Sequence, residues 1–155
     1  MATGICPGDT FTYILERERI LPEPKPTGDA VEDSKRLAAW QAHNERAKKT
    51  IESKTVTTWR LRFLASRDIN RMGDRLNDSE WPFEALQLGL DGYDRYHDRK
   101  GREIPFTCGK AKVLGKDREN VVADSVLDAI PPRDVVELAK QILQQTVTED
   151  ELGNS

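Results

Sequence analysis

An imidazole beside carboxylates is a natural starting point for acid–base or metal chemistry, and the chain offers one such place. His97 stands among Asp94, Asp98 and Glu103. A divalent cation needs oxygen ligands spaced to fold around one centre. Here the acidic positions do not alternate, and no glutamate follows at the twelfth place. The tract Asp98-Arg99-Lys100-Gly101 is what a hairpin turn requires on conformational grounds alone. His43, the other histidine, has Glu45 nearby but no HExxH-like spacing, so it reads as a solvated helix-face imidazole. Cys6 and Cys108 belong to no CxxC pair, and reduced thiols are expected of both. Glu149, Asp150 and Glu151 crowd together on a polar tail, without the burial that would shift a carboxyl pKa. No GxSxG elbow, GxxxxGK[ST] loop or strand-following GxGxxG occurs. The expectation is a protein with no catalytic residues, no metal and no cofactor.

Arg67, Arg71 and Arg75 recur every four residues and form a basic stripe, which Asp68 and Asp74 dilute. A helix-turn-helix reading of 66–90 fails at its second helix. PFEALQLGL has only Gln87 to read base edges, and its apolar residues belong in a core. A net charge of -3 and a pI near 5.5 also argue against general affinity for nucleic acid. No apolar run approaches the roughly 20 residues that span a bilayer, and MATGICPGDT lacks the basic and apolar regions of a secretory signal. Neither nucleic acid nor membrane is an expected partner.

The elements that must position these residues centre on 81–106. Pro82 suits a first helical turn, with Ser79 or Glu80 at the cap position, and Phe83, Leu86 and Leu90 follow at helical spacing. Gly92 is read as the helix stop. A hairpin is expected next, Tyr93 and Tyr96 on one arm and Ile104 and Phe106 on the other. Length predicts a single domain over 1–155, and 37% hydrophobic with 33% charged residues predicts a modest core.

In chain order, a lead-in over 1–9 precedes a strand over 10–15, with Phe11, Tyr13 and Leu15 on one face. Pro22, Pro24 and Pro26 then hold a connector extended. A helix over 31–53 carries Leu37, Trp40, Ala47 and Ile51 on a thin stripe that Asn44 interrupts. The region 22–53 therefore reads as a Pro-rich link plus an inserted arm helix. That helix either lies along its own core or packs through Trp40 on a neighbour.

The strand over 54–64 buries Thr57, Trp59, Leu61 and Phe63 on one face. It pairs with the first strand, parallel or antiparallel. A short helix over 66–76 turns Ile69, Met72 and Leu76 inward, and 77–79 is a turn. The glycine- and lysine-rich 107–120 is expected to be a loop with at most one edge strand. A helical turn within 121–130 and a helix over 133–145 follow, the latter with Val136, Leu138, Ala139, Ile142 and Leu143 inward. Residues 146–155 read as a flexible acidic tail. The composite is α+β, a small antiparallel sheet with three to five helices.

The order of segments resembles small proteins encoded among bacteriophage tail genes, many of them regarded as tail assembly chaperones. The resemblance rests on Trp59, Leu61 and Leu64, then Leu88-Gly89-Leu90 with Gly92-Tyr93. It continues through the turn Asp98 to Gly101, Ile104-Pro105-Phe106, Pro132, Leu138 and Ile142, and a tail with Thr148 and Asn154. It covers 55–155 and the first strand, and leaves 22–53 without a counterpart. It implies a non-enzymatic protein that binds the tape-measure or tail-tube protein in the host cytoplasm during assembly and then leaves. The alternative is a permanent virion component, a connector, neck or capsid-associated subunit that docks through its arm helix and forms homo-oligomers. The residues expected to meet a partner are Leu37, Trp40, Ala47 and Ile51 on the arm helix, with Glu149, Asp150 and Glu151 on the tail.

Overall fold

The structure is a computed structural model, and it describes residues 9–73, 80–98 and 100–153. The lead-in to residue 8 with Cys6, the turn at 77–79 with Arg75 and Leu76, Arg99, and Asn154 lie outside the described residues. The fold is α+β, with five α-helices and two small antiparallel sheets among the described residues. The chain divides into two compact units. A larger unit joins Met1–Tyr13 to Thr58–Ser155, and an inserted unit is formed by Ile14–Thr57. The link and helix expected at 22–53 make up most of the second.

The larger unit is built on a sheet of β1 (Thr10–Tyr13), β2 (Thr58–Arg62) and β3 (Leu90–Asp94), in that order and antiparallel throughout. Alternation along β2 sets the faces: Trp59 and Leu61 are fully buried, while Arg60 and Arg62 lie on the other side. Arg60 and Arg62 reach Asp94 and Asp91 of the neighbouring strand, at 3.0 and 2.5 Å. Tyr13 pairs with Trp59, so the chain leaves and re-enters this sheet at adjacent positions.

Helices α2 (Ser66–Gly73), α3 (Trp81–Gly89), α4 (Asp124–Ala129) and α5 (Pro132–Gly153) complete the larger unit. The α3 helix ends at Gly89, with Leu90 already extended, and runs straight into β3. Gly92 is thus a strand residue and not the helix stop. Its missing side chain leaves room for Arg60, whose Nη2 would lie 2.3 Å from a Cβ placed there. Gly89 lets α5 approach, since a Cβ at that position would stand 2.6 Å from Ile142 Cδ1. Four rings fill the space beside the sheet: Trp59, Tyr93, Tyr96 and Phe106, with centroids 4.9 to 5.6 Å apart along the chain of contacts. The Tyr93 hydroxyl donates to Ile104 O at 2.7 Å and that of Tyr96 to Ala129 O at 3.0 Å, so both polar tips are satisfied.

Residues 107–120 are not a loop. Strands β4 (Cys108–Val113) and β5 (Lys116–Val122) form a hairpin. Its two-residue turn, Leu114-Gly115, has φ values of 52° and 77°, the left-handed pair that matches strand twist. A bulge at Asn120, with φ 58°, shifts the register. The hairpin is clamped to α2: Arg118 grips Asp68 through two bonds of 2.8 and 3.1 Å, and Arg71 donates to Leu114 O. Within the expected tail, α5 continues to Gly153. From Pro132 to Leu152 nothing interrupts it, and extending a formed helix fixes one residue per added bond.

The inserted unit consists of a 3₁₀ turn (Glu16–Glu18), an extended strap over 21–26 and α1 (Ala30–Glu52). Asp29 caps α1, accepting from the amides of Val31 and Glu32 at 3.0 and 3.2 Å. The helix ends in a Schellman arrangement, with Lys54 N bonded to Ile51 O and Thr55 N to Thr50 O. Lys54 occupies the left-handed position, φ 58°, where glycine is usual.

Candidate protein-interaction surface

The one imidazole–carboxylate cluster is used for turn formation. Asp98 accepts from the amides of Lys100 and Arg102 at 2.9 and 3.0 Å, and these backbone bonds hold its carboxyl below the ordinary value. His97 is exposed and contacts Arg95 O through Nδ1. Among the described residues, no group of three His, Cys, Asp or Glu side chains could hold a metal ion. Burial pushes the exposed-face thiol of Cys108 up, with Asp91 adding to the effect and Arg62 opposing it, so it is a poor nucleophile. The α3 helix lines a cleft of about 390 Å³ with the β4–β5 turn and α4, with Phe83, Val113 and Leu127 among its lining residues. His97 is not among its lining residues, and Gln87 donates to Asp124 across it at 3.4 Å.

The inserted unit places the four expected interaction residues of the arm helix very differently. Ala47 is wholly buried. Trp40 is half-buried, and its Nε1 donates to Leu21 O at 2.8 Å. Leu37 and Ile51 are 37% and 45% exposed. Glu149, Asp150 and Glu151 lie in the last turns of α5, where the backbone alone is described.

Asn44 read as a break in the apolar stripe, but it has a structural use. Its amide oxygen accepts from Leu21 N at 2.9 Å and its nitrogen donates to Leu21 O at 3.1 Å, the pairing a neighbouring strand would supply. His43 Nε2 lies 2.9 Å from Arg19 O; a carbonyl only accepts, so Nε2 carries the hydrogen. Arg36 reaches Lys25 O, and Asp33 binds Thr27 twice at 2.8 and 2.7 Å, which holds its carboxyl below the ordinary value. Side chains on successive turns of α1 thus bind the backbone of the strap. Sequence reading missed this because polar residues on a helix stripe look like defects when their partner is a backbone.

The large apolar side chains exposed among the described residues are Ile20, Val31, Leu37 and Ile51, and all four belong to the inserted unit. Of α1's 23 residues, Ala47 alone is buried. Among the described residues, no helix is long and apolar enough to cross a membrane. Compared with protein-family models, curated proteins and solved structures, the chain matches none.

Proposed function

We propose that this protein is a non-enzymatic binding module in phage morphogenesis, acting as an assembly chaperone for a tape-measure or tail-tube protein. The supporting observation is that, among the described residues, the exposed large apolar side chains all fall within Ile14–Thr57. The phage context comes from the resemblance of the segment order. Covering four half-exposed aliphatic side chains would return about 1 kcal/mol each. That total is at the lower edge of the roughly 4–15 kcal/mol that association costs, so a partner must contact more than these four.

The second reading, a permanent virion subunit, is favoured by the spread of the surface. Val31 and Ile51 are 20 residues apart on one helix, about 30 Å, a span suited to a fixed contact with a neighbouring copy or another virion protein. The test is co-expression with the tape-measure and tail-tube proteins of the same genome, joined to mass spectrometry of purified virions. The chaperone reading expects co-purification from lysates and absence from virions, in the host cytoplasm only. Stoichiometric presence in virions would replace it with the second reading. Neither co-purification nor presence would reject both.

A further inference from the structure

Alternating proline constrains every residue of 21–26. The pyrrolidine ring fixes φ at Pro22, Pro24 and Pro26, and each intervening residue precedes a proline and is driven out of the helical region. The exposure pattern says which extended form results. Leu21 and Pro24 are half-buried and stand three residues apart, and Pro22, Glu23, Lys25 and Pro26 are exposed. Three residues per turn is polyproline II; a strand would alternate by two. The strap runs antiparallel to α1, with Leu21 at Trp40 and Asn44, Lys25 at Arg36, and Thr27 at Asp33. The α1 side chains hold it by its backbone, and Pro22, Glu23, Lys25 and Pro26 stay exposed.

We propose that this strap is a preordered ligand for a partner protein's groove lined by aromatic rings. Such grooves take up the ring of a proline in this conformation, and the ordering entropy that usually opposes the contact has already been met by α1. Charge narrows the partner further. Pro22 and Lys25 share a ridge one polyproline turn apart, about 9 Å, so the fitting groove carries a carboxylate at that distance from its aromatic slot. This deepens the functional reading given above, because it rests on the inserted unit being the binding surface. It also supplies the contact beyond the four aliphatic side chains that the energetics demand.

The probe is a purified SH3 domain that has an aromatic groove and an acidic specificity pocket, titrated into the ¹⁵N-labelled full-length chain. The expected result is amide shifts at Leu21, Glu23 and Lys25, with affinity lowered at least about ten-fold by Lys25→Glu or Pro22→Ala. Lys25→Glu leaves all three prolines in place, so a loss there cannot be ascribed to a released strap. Unshifted strap amides at millimolar probe, or affinity unchanged by Lys25→Glu, would overturn the proposal. Tail proteins that bind while the strap ignores the SH3 domain would sink this inference alone. A strap that docks while no tail protein co-purifies would sink the functional reading and leave this one standing.

Discussion

Trp59 and Trp40 show how differently the two units are held together. Trp59 has no exposed surface and sits against Tyr93 and Tyr96 at 5.4 and 4.9 Å. Trp40 is half-exposed, and its best-defined contact is a single hydrogen bond to a backbone carbonyl. Among the described residues, the larger unit leaves no large apolar side chain exposed. The inserted unit ties a strap to a helix through polar side chains and leaves Ile20, Val31, Leu37 and Ile51 in water. A hydrogen bond contributes about 1 kcal/mol net, whereas a buried aromatic side chain contributes several. The weaker construction is the one that leaves large apolar surface uncovered among the described residues.

The largest effect that could break this contrast is at the two tryptophans. Trp59→Ala is expected to cost about 3–5 kcal/mol by urea unfolding, since it removes a fully buried ring from the aromatic cluster. Trp40→Ala should cost no more than about 1–2 kcal/mol, the hydrogen bond and part of a ring's burial, while freeing the strap amides to exchange. Equal losses at the two sites would mean that Trp40 belongs to a core and that the surface around it is not spare.

The ion pair of Asp68 with Arg118 comes next. Their side chains are 12% and 21% exposed, so removing the carboxylate strands a mostly buried guanidinium. Asp68→Ala should cost about 2–3 kcal/mol. Asp33, the counterpart in the inserted unit, is a solvated carboxylate, and Asp33→Ala should cost clearly less than Asp68→Ala. A double change of Asp68 and Arg118 to Leu and Met that restores stability would show the pair to be an orienting device. No recovery would make it a true source of stability.

How far these contrasts can be read from the sequence depends on who pairs with whom. Strand β2 was legible because Trp59 and Leu61 alternate with Arg60 and Arg62 around a buried face. The core faces of α3 and α5 were legible in part: Leu86, Leu138, Ala139 and Ile142 are buried, but Phe83, Val136 and Leu143 are half-buried, Val135 is the fully buried residue the spacing missed, and Leu90 already belongs to β3. The hairpin β4–β5 was not legible. Its only buried residues are Val113, Val121 and Val122, and its turn puts Leu114 where asparagine would have signalled a left-handed residue. The candidate surface was half legible. Trp40 and the strap were each noticed, but nothing in a helical stripe reveals that Asn44 is matched to a peptide group twenty-three residues earlier.

Alkaline titration sharpens the comparison through Tyr93, a ring in the larger unit's buried cluster. Burial first, then its neighbours Tyr96 and Glu103, push its pKa from 10.0 up to about 12. The folded state therefore holds this proton more tightly than the unfolded one. The associated stability is fully present below pH 10 and is lost as pH rises through 12. Unfolding in urea from pH 9 to 12 should show that decline, and Tyr93→Phe should flatten it. A decline that survives Tyr93→Phe would place the titrating group elsewhere.

The smallest effect is a gain, and it bears directly on the inserted unit. Lys54 closes the Schellman motif of α1 at φ 58°, where a β-carbon crowds the following carbonyl. Glycine adopts this conformation freely, so Lys54→Gly should stabilise the helix end by about 0.5–1 kcal/mol, less what the unfolded chain gains in freedom. The hydrogen bonds that define the motif use only backbone atoms, Thr55 N to Thr50 O and Lys54 N to Ile51 O, so the substitution leaves them intact. If the inserted unit is held as weakly as its polar fastenings imply, this gain will appear as slower exchange of the last α1 amides. Unchanged exchange would mean that the helix end is already secured by something stronger than its own cap.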